Sequence, residues 1–376
     1  MKRELIFLSH SPWDMSLNTV LPAFLFVVMA LLFVGGTPRN LPVVAVDADH
    51  STLSRDAVRL LDASSGAEVV NSCDDLSSAF TQIRTGRAYG VFYIPKNADR
   101  DVREKGRADF VLYTAAPYYT ASVTLAREGS NVVSALGGKL LREEIARRDS
   151  SHVRAAPVTV QSTTLFNSGL SYELMIVSLL HPAIIIILLS VAAMSAVGRE
   201  FSQRSFSCWI SAPRLVVPAL IGKLLPYVLL YFSYAVICIA WLVWWRGYPI
   251  QGSVFFLLLG YGLMLLAYAL LGAALVSVTR DSAMALGGAA VYASSAMAFS
   301  GALFPIRGAS LFAQSWNAIQ PYTWYSQISA SLWQMGAPYS VVSRQLLILL
   351  LMVLITGIGA GVGLYFSFRD ARKGCL

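Results

Sequence analysis

Six apolar runs, each long enough to cross a bilayer, dominate this chain of 376 residues. About 20 helical residues span the ~30 Å hydrocarbon layer. The runs cover residues 17–36, 170–197, 216–245, 254–278, 283–304 and 346–366. In lipid every backbone N–H and C=O must be paired inside the protein, so such runs read as helices. Of all residues 56% are hydrophobic and 13% charged, against about 25% charged in a soluble chain. Those proportions argue against a soluble enzyme and exclude a disordered chain. Lys2 and Arg3 precede the first run as they would in a signal peptide. That run is long, however, and no small-residue cleavage site follows it, so it reads as an anchor that stays in place.

Charge separates the segments further. Residues 37–168 hold 16 Lys and Arg against 15 Asp and Glu, and the rest of the chain holds 13 against 6. The basic excess therefore lies on short connections between apolar runs, which is a membrane topology signal and not a nucleic-acid footprint. With the N-terminus inside, ten basic residues fall on inner segments: Lys2, Arg3, Arg199, Arg204, Arg214, Lys223, Arg280, Arg369, Arg372 and Lys373. Three fall on short outer ones: Arg246, Arg307 and Arg344. Both termini are thus expected in the cytoplasm and residues 37–168 outside it. Trp244, Trp245, Tyr248, Trp316, Tyr322, Trp324 and Tyr325 gather at the outer interface this orientation implies.

Residues 37–168 read as a layered α/β domain. Strands are expected at 43–46, 68–70, 88–94 and 110–113. Ser51 and Asp74 are candidate helix caps, Gly86 closes the second helix, and residues 118–148 form a long helix with a break at Gly137-Gly138. The fold class is an α-helical integral membrane protein with six transmembrane helices and an inserted mixed α/β extracytoplasmic domain. In order, residues 1–16 form a cytoplasmic amphipathic leader, 17–36 the first span, 37–168 the inserted domain, 169–366 the remaining five spans, and 367–376 a cytoplasmic tail. Leu5, Ile6 and Leu8 lie among basic residues, so the leader suits the inner lipid surface.

Motifs for bound chemistry are missing. Gly137-Gly138-Lys139 is followed by Leu140 and lacks the glycine spacing of a phosphate loop. The histidines at 10, 50, 152 and 181 are scattered, and Asp47, Asp49 and Asp56 lack the glycine and distal glutamate of a calcium loop. Cys73 stands alone in the inserted segment, with Cys208, Cys238 and Cys375 elsewhere, so no disulfide framework is implied. No metal site and no cofactor bound by this chain is expected.

Gly198-Arg199-Glu200-Phe201, then Ser211-Ala212-Pro213, then Gly222-Lys223-Leu224-Leu225-Pro226 follow one another across the second and third spans. Val46-Asp47-Ala48-Asp49-His50-Ser51, Ser300-Gly301-Ala302-Leu303-Phe304-Pro305 and Pro321-Tyr322 stand at matching places before and after. In order and spacing this resembles the permease subunits of type-2 ABC transporters, in the subfamily with a large periplasmic domain after the first span. Arg204-Ser205 and Ser207 stand where that family usually has Gly-Thr and a second acidic residue.

The resemblance implies a dimer of permeases, identical or related, in a bacterial inner membrane. It implies two separate ATPase subunits that carry ATP and Mg, export of drugs or other apolar molecules, and a periplasmic adaptor as partner. It also makes 198–216 the loop that docks on the ATPase, with Arg199, Glu200, Phe201, Arg204, Phe206, Trp209, Pro213 and Lys223 as its candidate residues. A short helix with charged flanks and an aromatic face suits a groove on such a partner. Residues 304–325 are too polar to span and too aromatic for a free loop, so Phe304, Pro305, Trp316, Pro321 and Tyr322 mark an outer re-entrant gate. His181 and Glu173 are ionisable groups within a span, which are functional candidates by default. Gly357, Gly359, Gly361 and Gly363 give overlapping small-residue pairs for close helix packing. The competing readings are a membrane-anchored receptor whose outer domain binds a ligand, and a membrane enzyme acting on lipid. The first leaves most of the spans unexplained, and the second lacks a polar catalytic cluster.

Overall fold

A computed structural model describes the chain except residues 1, 34–38, 106–107, 115–118, 148–170, 204, 304–305, 307 and 373–376. Arg204, Phe304 and Pro305 therefore lie outside the described residues, as do the ends of the first span and of the inserted segment. The chain divides into two compact units, residues 1–34 with 166–376, and residues 35–165.

The first unit opens with α1 (Lys2–His10) and α2 (Pro12–Phe33). The second unit follows as β1 (Leu41–Asp47), α3 (Thr52–Asp62), β2 (Ala67–Cys73), α4 (Leu76–Arg84), β3 (Gly90–Ile94), α5 (Ala98–Lys105), β4 (Val111–Thr114) and α6 (Tyr119–Arg147). The chain then returns to the first unit with α7 (Tyr172–Ser202), α8 (Phe206–Trp209), a 3₁₀ turn at Pro213–Leu215 and α9 (Val216–Ala240). A π turn at Trp241–Trp245 ends that span. Next come α10 (Val254–Thr279), α11 (Ser282–Ser294), α12 (Ala296–Phe299), α13 (Leu311–Ile319), α14 (Pro321–Ser329), a second π turn at Ala330–Gln334 and α15 (Tyr339–Arg372). Among the described residues, six helices are long and apolar enough to cross a membrane: Pro12–Phe33, Glu173–Ser202, Pro213–Trp245, Val254–Thr279, Ser282–Phe299 and Tyr339–Asp370.

The sheet of the inserted unit runs β2-β1-β3-β4, with β1 parallel to both neighbours and β3–β4 antiparallel. Alternation along β1 explains the layers. Val43 packs with Leu53, Ala57 and Leu61 of α3 and Leu125 of α6 on one face. Val44 and Val46 pack with Ala79 of α4 on the other. A central parallel strand covered on both faces reads as an unbroken apolar run, as Val43-Val44-Ala45-Val46 does. Ser51 caps α3 by accepting from the Ser54 amide. Asp75 caps α4, one residue beyond the expected Asp74, because its carboxylate reaches the Ser77 amide. Gly86 adopts φ +73 just after α4, the left-handed geometry that glycine permits. The expected break at Gly137-Gly138 does not occur, and α6 is continuous through it. Helix α5, rich in charge and without an apolar stripe, carried no sequence signal. The aspartates at 47 and 49 are both engaged by the protein, Asp49 accepting from the Asp99 amide of α5 at 3.1 Å. Asp47 accepts from the Asp49 and His50 amides and from the Ser54 hydroxyl, at 3.0, 2.9 and 2.7 Å.

In the membrane unit α10 is central and touches α7, α9, α11, α14 and α15. Its seam with α15 is built on small residues. A Cβ at Gly357, Gly359 or Gly363 would meet Leu270, Ala274 or Ser277 of α10, closest at Gly363, whereas Gly361 faces open space. Three of the four glycines therefore pack within the subunit. Gly363→Leu is expected to lower the thermal midpoint of the detergent-solubilised chain, since overpacking costs about 1–3 kcal/mol. Gly361→Leu is expected to leave it unchanged. Size-exclusion after graded heating measures both.

Candidate functional site

At one end of the first unit, five segments converge on two buried carboxylates. Glu4 stands in the first turn of α1, Asp14 in the first turn of α2, and Arg199 and Glu200 in the last turn of α7. Lys223 and Tyr227 lie one turn apart on α9, and Trp209 ends α8. Lys223 is 2% exposed, and Nζ donates to Glu4 Oε1 at 2.7 Å and to Glu200 Oε1 at 2.5 Å. Arg199 donates to Glu4 Oε2 at 2.8 Å and to the Tyr227 hydroxyl at 3.2 Å, and lies 3.8 Å from Asp14. The Ser205 hydroxyl donates to Glu200 Oε2 at 2.5 Å, so the residue beginning the loop after α7 is tied in as well. Two rings pack on the cations. Phe7 lies 3.6 Å under the Arg199 guanidinium, and the Trp209 ring centre is 4.9 Å from the Lys223 ammonium.

This geometry constrains motion more than it stabilises the fold. Ions removed from water lose hydration, and their attraction recovers it only in a well-bonded cluster. Once the cluster exists, removing one partner strands a buried charge at a cost of about 3–5 kcal/mol. The leader, the end of the second span and the start of the third are therefore tied to one another through this cluster.

The structure distributes the remaining sequence-derived residues as follows. Arg199 and Glu200 belong to the long helix α7, and the short helix of the loop is four residues, Phe206–Trp209. Phe201, Phe206 and Trp209 form an aromatic series with ring centres 5.0 and 5.8 Å apart, and Phe206 is buried. Pro213 opens the 3₁₀ turn, where Pro213, Arg214 and Leu215 are exposed. Glu4 was missed. Its signal was the one acidic residue in the run 2–10, which is otherwise basic and apolar apart from Ser9. Its partners stand 195 and 219 residues away, beyond any local pattern.

At the opposite end of α7, Glu173 is fully buried, and Arg246 clasps both its carboxylate oxygens at 2.6–2.8 Å. Ser171 donates to the Tyr248 hydroxyl, which donates to Glu173, at 2.8 and 2.9 Å. The carboxylate raises the pKa of Arg246 further, and burial raises that of the Tyr248 phenol. Further along α7 the carbonyl of Leu179 accepts the Tyr322 hydroxyl at 2.7 Å. Pro321 begins α14 beside it, and Trp316 of α13 donates to the Ser295 hydroxyl at 2.9 Å. His181 is buried, with Nδ1 3.2 Å from the Tyr261 hydroxyl, while Nε2 has no hydrogen-bond partner among the described residues.

The described residues hold six candidate spans, an inserted α/β sheet after the first, and a buried charge cluster at the loop between the second and third. A family profile described as ABC-2 family transporter protein matches residues 14–362, and the chain belongs to that family. Membership implies ATPase partner subunits. The chain is 24% identical over 260 residues to the "Probable multidrug ABC transporter permease YbhR" of Escherichia coli (strain K12), covering 67% of this chain and 69% of that protein. The protein of the same description in Escherichia coli O157:H7 matches to the same extent.

A double-mutant cycle tests the cluster. Glu4→Gln and Lys223→Met are each expected to destabilise the purified chain by about 3 kcal/mol or more. Together they should cost less than the sum, with a coupling of about 1–3 kcal/mol. Denaturant unfolding of the four proteins in one detergent measures it.

Proposed function

We propose that this chain is the permease subunit of an ATP-driven exporter. It sits in a bacterial cytoplasmic membrane with both termini inside, pairs with a second permease, identical or related, and docks on two ATPase subunits that hold ATP and Mg. The observation that carries the reading is the buried Glu4–Lys223–Glu200 cluster beside an exposed turn at residues 213–215. A partner gripping that turn would push on a body which includes the end of α7.

Helix α7 has 31 residues and so runs about 45 Å. Force applied at Arg199 and Glu200 arrives near Leu179 and Glu173, where the re-entrant helix and the third span are attached. ATP-driven closure of the partners would thus shift the outer re-entrant segment, which includes Trp316, Pro321 and Tyr322, and open the path between permeases. Interfaces that switch between two packings transmit small displacements in this way. Drugs as cargo accord with the description of the probable multidrug permease, and apolar cargo and a periplasmic adaptor receiving it from the inserted unit are part of the same proposal. The near-neutral inserted segment favours no charged cargo.

Purification from native membranes in mild detergent tests the reading. An ATPase subunit is expected with the wild-type chain. It should be lost with the Arg214→Glu/Leu215→Glu variant at unchanged thermal midpoint. Glu200→Gln is expected to retain the ATPase while the export driven per ATP hydrolysed falls about tenfold, equivalent to about 1.4 kcal/mol. Recovery of the chain without an ATPase, under conditions that preserve a known transporter complex, would refute the reading.

A further inference from the structure

The membrane unit holds a cavity of about 800 Å³ that the coupling scheme does not use. It lies between α7 at Met175 and Leu179, the turn at residues 300–302, helices α13 and α14, and the second π turn. Its volume is in the range of small-molecule sites, about 300–1,000 Å³. Met175, Leu179 and Ile306 give it apolar wall, and none of the described residues lining it carries a formal charge.

Its polar groups fall into two sets. The first is committed to local backbone. Ser178 donates to the Met175 carbonyl at 3.2 Å, Ser300 to that of Met297 at 2.7 Å, Gln314 to that of Ala309 at 2.8 Å, Ser326 to that of Thr323 at 2.8 Å, and Asn317 to that of Phe299 at 2.6 Å. The second set is Gln327, which is exposed, and Gln334, which is half-buried. Both line the cavity, and neither side chain makes a hydrogen bond among the described residues. They stand at either end of a stretch that closes with the π turn Ala330–Gln334 at the C-terminal end of α14. Each carboxamide offers two donors and an acceptor.

We infer that this cavity binds an uncharged amphipathic molecule. Its apolar body would lie against Met175, Leu179 and Ile306, and its head, a hydroxyl, amide or glycosidic group, would bond to Gln327 and Gln334. A charged head would be transferred from water into a site whose described lining residues offer no counter-charge, which is costly. Leu179 also holds Tyr322, so the wall of the cavity belongs to the joint between α7 and α14. That the bound molecule is cargo rests on the export reading, but binding itself does not.

The test uses the full-length chain in phosphatidylcholine nanodiscs and three photoreactive diazirine probes of equal alkyl length. One carries a glucoside head, one a trimethylammonium and one a sulfate. Labelled peptides are mapped by mass spectrometry. The glucoside probe is expected to label peptides containing Leu179 and residues 300–334 about tenfold more than either charged probe. Gln327→Leu/Gln334→Leu should weaken that labelling about fivefold to tenfold, the loss of two neutral hydrogen bonds. Gln334→Glu should turn the preference toward the cationic probe, and Ala330→Phe should block all three by filling the space. If the double leucine variant misfolds, the last two carry the test. Labelling indifferent to head charge, or glucoside labelling that persists in Gln334→Glu and Ala330→Phe, overturns the inference. No ATPase is present in this assay, so its outcome is independent of whether the chain couples to one.

Discussion

A lysine ammonium held away from water between two carboxylates sets the terms for the membrane unit. Lys223 has almost no exposure, and neither do Glu4 and Glu200. In such surroundings a charge is tolerated only with its partners in place. The cost of separating them, about 3–5 kcal/mol, is a large share of the 5–15 kcal/mol that holds a typical domain folded. The leader helix, the end of the second span and the start of the third are consequently fixed to one another, although the chain between Glu4 and Lys223 crosses the whole inserted unit.

That cluster anchors one end of the long helix α7. Its far end is held just as firmly, by the two-pronged grip of Arg246 on Glu173 and by the Tyr322 hydroxyl on the Leu179 carbonyl. Between these ends the core is built from large buried tyrosines, among them Tyr227, Tyr231, Tyr261, Tyr268, Tyr322 and Tyr325. Each brings a broad apolar ring and one hydroxyl that seeks a partner. Tyr268 finds Gln320 at 2.6 Å and Tyr231 finds Asn18 at 3.0 Å. A core of this kind joins helices by directed bonds as well as by packing.

The helical framework was legible in the sequence because a bilayer demands length and apolarity, and both are visible residue by residue. The strand at Val43–Val46 and the cap at Ser51 were legible for a similar reason, since each is a local pattern. The helix Ala98–Lys105 was not, because a charged surface helix has no apolar period to read. The unbroken course of α6 through Gly137-Gly138 escaped because glycine weakens a helix by about 1 kcal/mol without forbidding it. At the site, the Arg-Glu and Gly-Lys strings pointed to Arg199, Glu200 and Lys223, but not to the inward orientation of Glu200. Glu4 was illegible because its role depends on contacts across nearly 200 residues or more.

The most direct measurement of the central claim is backbone hydrogen exchange of the full-length chain in nanodiscs, wild type against Lys223→Met. If one charge cluster holds these segments as a body, exchange in residues 2–10 and in residues 203–212 rises together, by about tenfold or more for the loss of 1.4 kcal/mol or more of local stability. Residues 41–114 and the surroundings of Glu173 keep their wild-type rates. Protection of residues 2–10 that is unchanged in the variant would contradict the account, since the leader would then be held by something other than Lys223.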